Sequence, residues 1–114
     1  MYQQGEIVFV DLNPTRGHEE SKVRPCVVIS NAQYNHFFNT VIVAPISSAP
    51  KYRKDTRYVK SPLFIPVDVN EVHGTLLLQH IRSLDIHSRI KSGVQGKLSA
   101  KQIRAVTAII QQFF

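Results

Sequence analysis

From Gly5 to Leu12 the apolar side chains fall on both sides of an extended chain, Ile7 and Phe9 against Val8 and Val10. The run stops at the turn pair Asn13-Pro14, which predicts a first strand. Residues 15–24 hold Arg16, Gly17, His18, Glu19, Glu20, Ser21, Lys22 and Arg24 with Val23 as their apolar member, so they read as a surface loop. Pro25 to Ser30 is short, β-branched and nearly continuous, as suits a strand covered on both faces. Pro25 is expected at its first position, where a missing donor matters least, and Cys26 is expected in the core.

One irregular helical turn is predicted at 33–38, then a buried strand from Thr40 to Ile46 in which Pro45 argues for an edge or a bulge. The stretch 47–62 carries Lys51, Arg53, Lys54, Arg57 and Lys60 against one acid, Asp55, with Tyr52 and Tyr58 between them, and reads as a mobile basic loop or hairpin. Two further strands, Leu63–Val67 and Gly74–Leu78, flank a polar turn, and 81–86 continues the second after a bend. A helix starts at Ser99, with Gln102 three residues on to complete a capping box and Ile103, Val106, Ile110 and Phe113 on one stripe. Short strands, long polar loops, one terminal helix and no repeated βαβ spacing predict a mainly β fold, a small, strongly bent antiparallel barrel with a C-terminal helix.

Length narrows this to one compact domain, 1–114, because two domains would leave each core too thin. The single cysteine makes no internal bridge, Met1 to Gln4 has no secretory character, and no apolar run nears the roughly 20 residues of a membrane-spanning helix. A cytoplasmic protein without membrane attachment is expected. Fourteen Lys and Arg against eight Asp and Glu leave a net charge of +6, which attracts phosphate chains or acidic peptides without choosing between them.

The five histidines form no closely spaced ligand pair, so neither a metal nor another cofactor is expected. Signatures of serine, cysteine and zinc proteases, of a phosphate-binding P-loop and of a dinucleotide site are absent from the chain. The loop before Arg24-Pro25, the basic stretch 51–60 and the polar strand ends suit binding and cleavage of a phosphodiester.

Four stretches carry a family resemblance. Gly5-Glu6-Ile7-Val8 through Asp11-Leu12-Asn13-Pro14-Thr15-Arg16-Gly17-His18-Glu19 resembles the opening of MazF/PemK toxins, and Arg24-Pro25-Cys26-Val27-Val28-Ile29-Ser30-Asn31 resembles their second motif. Thr40 to Ser47 resembles the third, and His73-Gly74 through Ile81-Arg82-Ser83-Leu84-Asp85 with Arg89 the fourth. The resemblance implies an SH3-related barrel of the CcdB/PemK kind and a homodimer. It also implies a metal-independent, sequence-specific endoribonuclease acting on single-stranded RNA, the toxin of a type II toxin–antitoxin pair whose acidic antitoxin covers the basic surface.

RNA carries its own nucleophile, so such an enzyme removes the 2'-hydroxyl proton, stabilises charge on the phosphorane and protonates the leaving 5'-oxygen. Arg24 is assigned the central electrostatic role, since a planar guanidinium places two donors on phosphate oxygens. Ser47 matches the family's Ser/Thr position and donates to a non-bridging oxygen, with Ser48 as its substitute. His18 is the titrating candidate, because an imidazole accepts and returns protons near neutrality.

Arg16, Glu20, Lys51 and Arg53 are assigned to substrate binding, with the two tyrosines offered to unpaired bases. Gln79 and His80 are read as contacts to base edges. Leu77 and Gln79 stand where some relatives carry a catalytic arginine and aspartate, and His80 where glutamine is usual. His36, His73 and His87 read as structural or incidental, and Arg82 and Asp85 as a supporting ion pair. Two rivals are a non-catalytic toxin that poisons a protein target such as DNA gyrase, as CcdB toxins do, and an RNA-binding module that has lost catalysis.

Overall fold

A computed structural model describes residues 1–12 and 23–114. The expected loop residues Arg16, His18 and Glu20 lie outside the described residues. Strand β1 (Glu6–Asp11) pairs antiparallel with β2 (Val23–Val28), and β2 with β3 (Thr40–Ser47). On its other edge β3 takes β6 (Arg82–Asp85) along Thr40–Val43 and β5 (Val72–Leu77) at Ile46 and Ser47. A hairpin joins β4 (Phe64–Val69) to β5 through Asn70 and Glu71, with Asn70 at φ 52°, and the short β7 (Gly96–Lys97) closes on β1. The order β4-β5-β3-β2-β1-β7, with β6 beside β3, is the bent, nearly closed antiparallel sheet that the residue pattern predicts.

Both faces of the central strands are apolar, which explains their near-continuous hydrophobic runs. One face buries Ile7, Val27, Ala44, Ile46, Leu76 and Leu78 beneath α5 (Ala100–Gln111), whose Ile103, Val106 and Ile110 form the seam. The other buries Val8, Val10, Cys26, Val28, Val41 and Val43, covered by Tyr2, Leu12, Ile86 and Ile90. Ser99 caps α5 in a reciprocal box with Gln102, and the helix lies so close to Gly5 (φ 91°) that any side chain there would strike Ile103. The expected stripe on α5 ends at Ile110, for Phe113 is 40% exposed.

Four expectations are corrected. The second strand begins at Val23, so Pro25 is its third residue. Its partner Phe9 turns its N–H to the Ser92 hydroxyl and its carbonyl to Lys91, so Phe9 and Pro25 exchange no bonds. The missing N–H of Pro25 therefore faces β3, whose ladder with β2 starts only at Cys26.

Pro45 lies in the central strand, so of the two expected settings, an edge or a bulge, the edge is excluded. It occupies the gap between the ladder with β6, which ends at Val43, and that with β5, which begins at Ile46.

The stretch 47–62 forms two single-turn helices, α2 (Lys51–Lys54) and α3 (Thr56–Val59), preceded in the chain by α1 (Ala32–Phe37). Asp55 caps α3 through the Arg57 amide, and Tyr52, Tyr58 and Phe64 pack ring on ring at 4.9–5.4 Å.

Arg82 and Asp85 act separately. Arg82 donates to the Leu12 carbonyl at 3.3 Å, while Asp85 caps the single turn α4 (Ile86–Arg89) by accepting the His87 and Ser88 amides.

Candidate nucleic-acid site

Arg24 and Ser47 belong to neighbouring strands at the same end of the sheet. The β2–β3 register runs Val28 to Val43 and Cys26 to Pro45. That ladder stops two residues short of Arg24 and Ser47; the twofold alternation of each strand turns Arg24 to the face of Val28 and Ser47 to that of Val43, and Arg24 does not line the cavity onto which Ser47 opens. Arg24 is exposed. Arg82 rises from the same face of β6, opposite Val43, and with Arg24 it acts on the Cys26 thiol between them. Burial outweighs both cations and pushes that thiol up to about 12, so Cys26 is a neutral core group and not a nucleophile.

Arg89 donates to the Asp11 carbonyl as Arg82 does to Leu12. The two arginines thus hold the rim at which the chain enters residues 13–22. Sequence reasoning undervalued Arg82 by pairing it with Asp85; its place on the Arg24 face comes from β6 lying beside β3, a long-range pairing.

Ser47 ends β3 opposite Thr75 of β5, and its Oγ accepts the Ala49 amide at 3.2 Å, leaving the hydroxyl hydrogen for a ligand. It opens on a cavity of about 300 Å³ lined also by Ser48, Arg53, Lys54, His73 and Thr75. Ser48 is exposed beside it. Gly74 is required here, because a Cβ would strike the Ser47 carbonyl and the Ile46 side chain.

The remaining expected residues divide. Arg53 reaches the cavity but is committed: it is bidentate to Asp68 at 3.1 and 3.2 Å, and its Nη2 also donates to the carbonyls of Val67 and Gly74. It fastens α2 to the β4–β5 hairpin. Lys51 lies over the Tyr52 ring at 5.1 Å. The tyrosines expected to meet bases pack instead on each other and on Phe64.

Gln79 and His80 are exposed in the 3₁₀ turn at 78–80, and the structure does not bring Gln79 to the Ser47 cavity. Gln79 lines a separate apolar groove of about 580 Å³ with Tyr34, Ile81, Ile110, Phe113 and Phe114. Among the described residues no group of three or more His, Cys, Asp or Glu side chains is placed to hold a metal ion.

The sequence pattern of the family described as "PemK-like, MazF-like toxin of type II toxin-antitoxin system" matches residues 3–114. The chain belongs to this family. Among MazF-like relatives, it is 31% identical over 90 residues to the endoribonuclease toxin ChpB of Escherichia coli K12, covering 78% of this chain and 74% of that protein. It is 32% identical over 113 residues to endoribonuclease MazF of Staphylococcus epidermidis, covering 96% and 88%. A MazE–MazF crystal structure from Deinococcus radiodurans superposes with a TM-score of 0.77 at 25% identity, over 98% of this chain and 94% of that one. The MazF-like outline therefore extends across the whole bent sheet and the terminal helix.

Proposed function

We propose that the chain is the endoribonuclease toxin of a type II pair. It would cleave single-stranded RNA at specific sequences, without a metal, to 2',3'-cyclic phosphate and 5'-hydroxyl ends. The observation that supports the chemistry is that Arg24, near the start of β2, and Ser47, at the end of β3, lie toward the same end of two neighbouring antiparallel strands. The guanidinium meets the negative charge that grows on the phosphorane oxygens. Ser47, its Oγ lone pair engaged by the Ala49 amide, donates its hydrogen to a non-bridging oxygen and holds the phosphate for in-line attack by the 2'-oxygen. His18 takes the 2'-hydroxyl proton, while Arg16 and Glu20 of the same segment, together with Ser48, Lys51 and His80, contact the RNA.

The chain works as a homodimer in this reading. The groove between Tyr34, Ile110 and Phe113 has exposed Phe37, the last residue of α1, and exposed Phe38 just after it close by in sequence, and it offers an apolar face to a second copy. An antitoxin with an acidic segment covers the basic face around Arg24 and blocks RNA.

Antitoxin-free protein incubated with RNA in excess EDTA should yield cyclic-phosphate ends, and the mapped 5' ends should share a short sequence. Arg24→Ala should lower kcat by roughly 10² to 10³, as loss of a transition-state donor does, and Ser47→Ala should lower it as well. Intact RNA after incubation with the folded protein refutes the reading. Growth arrest that survives both substitutions would point instead to poisoning of a protein target.

A further inference from the structure

His73 reads as an incidental histidine in the sequence, yet it stands on the wall of the Ser47 cavity. Its place follows from the close approach at Gly74, whose missing side chain lets β5 lie against the Ser47 carbonyl. Its Nδ1 hydrogen-bonds to Asp68 Oδ1 at 2.9 Å across the hairpin, where Asp68 is the register partner of His73. Asp68 takes no part in lining the cavity, so the ring nitrogen left for a ligand is Nε2, on a side chain 64% exposed. With Nδ1 bonded to the Asp68 carboxylate, the ring is held with Nε2 left for the cavity, and in the imidazolium form Nε2–H is a donor.

The groups around the ring complete the picture. Asp68 comes from β4, Arg53 and Lys54 from α2, and the uncharged Ser47 and Ser48 from the end of β3. The sole carboxylate in this set is already bidentate to Arg53. What faces the cavity is hydroxyl, ammonium and imidazole, a donor set that suits a phosphodiester oxygen.

We propose that His73, oriented by Asp68, is an RNA-positioning residue that donates from Nε2 to a backbone phosphate next to the scissile linkage. This rests on the endoribonuclease reading above. No proton is transferred in the chemical step; the contact strengthens substrate binding when the ring is charged, so affinity rises as the ring takes up a proton.

The test uses the full-length protein, an oligoribonucleotide carrying the mapped cleavage sequence, and its 2'-O-methyl form as an uncleavable binding probe. His73→Gln should raise KM about tenfold at pH 6, the worth of one charge-assisted hydrogen bond. It should leave kcat within about twofold and lose its effect at pH 8. His73→Arg should restore a low KM and remove its pH dependence. Probe affinity should follow KM in each variant.

An unchanged KM and pH profile in His73→Gln overturns the proposal, and so does a collapse of kcat at constant KM. If wild-type protein leaves the oligoribonucleotide intact, the enzymatic reading fails, while equal probe affinity of wild type and His73→Gln would separately defeat the role given to His73.

Discussion

A single methyl group at residue 74 should damage the site without touching any of its polar atoms. In Gly74→Ala the new Cβ would overlap the Ser47 carbonyl and the Ile46 side chain. Neither strand yields easily. Ile46 and Ser47 are paired to Leu76 and Thr75, Gly74 itself to Val67, and its carbonyl accepts from Arg53. Overpacking against backbone costs about 1 to 3 kcal/mol, a fall in Tm of roughly 5 to 15 °C for a domain of this size.

The strain is relieved by β5 moving off β3 at Ser47, and a catalytic group misplaced by about 1 Å loses about 10² in rate. Urea unfolding and cleavage of an oligoribonucleotide in EDTA measure the two losses. Gly93→Ala serves as the control, because a Cβ there meets nothing within 4 Å, and it should stay within about 0.5 kcal/mol of wild type. A Gly74→Ala protein that unfolds at the wild-type urea concentration and cleaves within twofold of wild type would refute the account of this contact.

Further outcomes follow from buried polar and titrating groups. Asn35 is buried and donates to the carbonyls of Tyr2 and Ser30 while accepting from the Ser30 hydroxyl. Asn35→Ala should cost about 2 to 4 kcal/mol in urea unfolding, about 1 for each bond lost, and a loss under about 0.5 would show that water replaces the network. Because Cys26 ionises at about 12 in the fold and near 9.0 when free, the unfolded chain gives up its proton first, so stability falls as pH rises above 9. Between pH 8 and 10, wild type should lose about 1.4 kcal/mol more than Cys26→Ala, and parallel losses would contradict a buried neutral thiol.

Asp85 is held below its ordinary 3.8 chiefly by the Ser88 amide, so its stabilisation is complete above that value and is lost as pH falls through the lower folded one. Asp85→Asn should therefore flatten part of the acid limb of a urea-midpoint profile, and an identical limb would remove Asp85 as a contributor.

Local rules carried much of the fold. Alternation in β1, the β-branched runs of β2 and β3, the polar turn between β4 and β5, and the Ser99–Gln102 box each depend on residues close in sequence, where propensity and capping act directly. The helices α2 and α3 were hidden because a single turn has little stability of its own. Theirs comes from Phe64 and from the Arg53 grip on Asp68, Val67 and Gly74, all distant along the chain. The two prolines misled for a related reason: whether a missing N–H is harmless depends on which neighbour that edge faces, and pairing decides it.

In the site the same division holds. The residues around Arg24 and Ser47 were legible as types, a fork of donors and a hydroxyl at strand ends, because their chemistry resides in the side chain itself. Which residues share a cavity was not legible. His73 stands 26 positions beyond Ser47 in the numbering, and only the β3–β5 pairing and the bare Cα of Gly74 bring it there. Arg53, chosen for its charge, became a structural clamp because an aspartate and two carbonyls lie within its reach. Sequence by itself determined the kinds of groups available and the elements that bear them; the closing of the sheet decided which of those groups face one another, since strand pairing sets distances that no local propensity can encode.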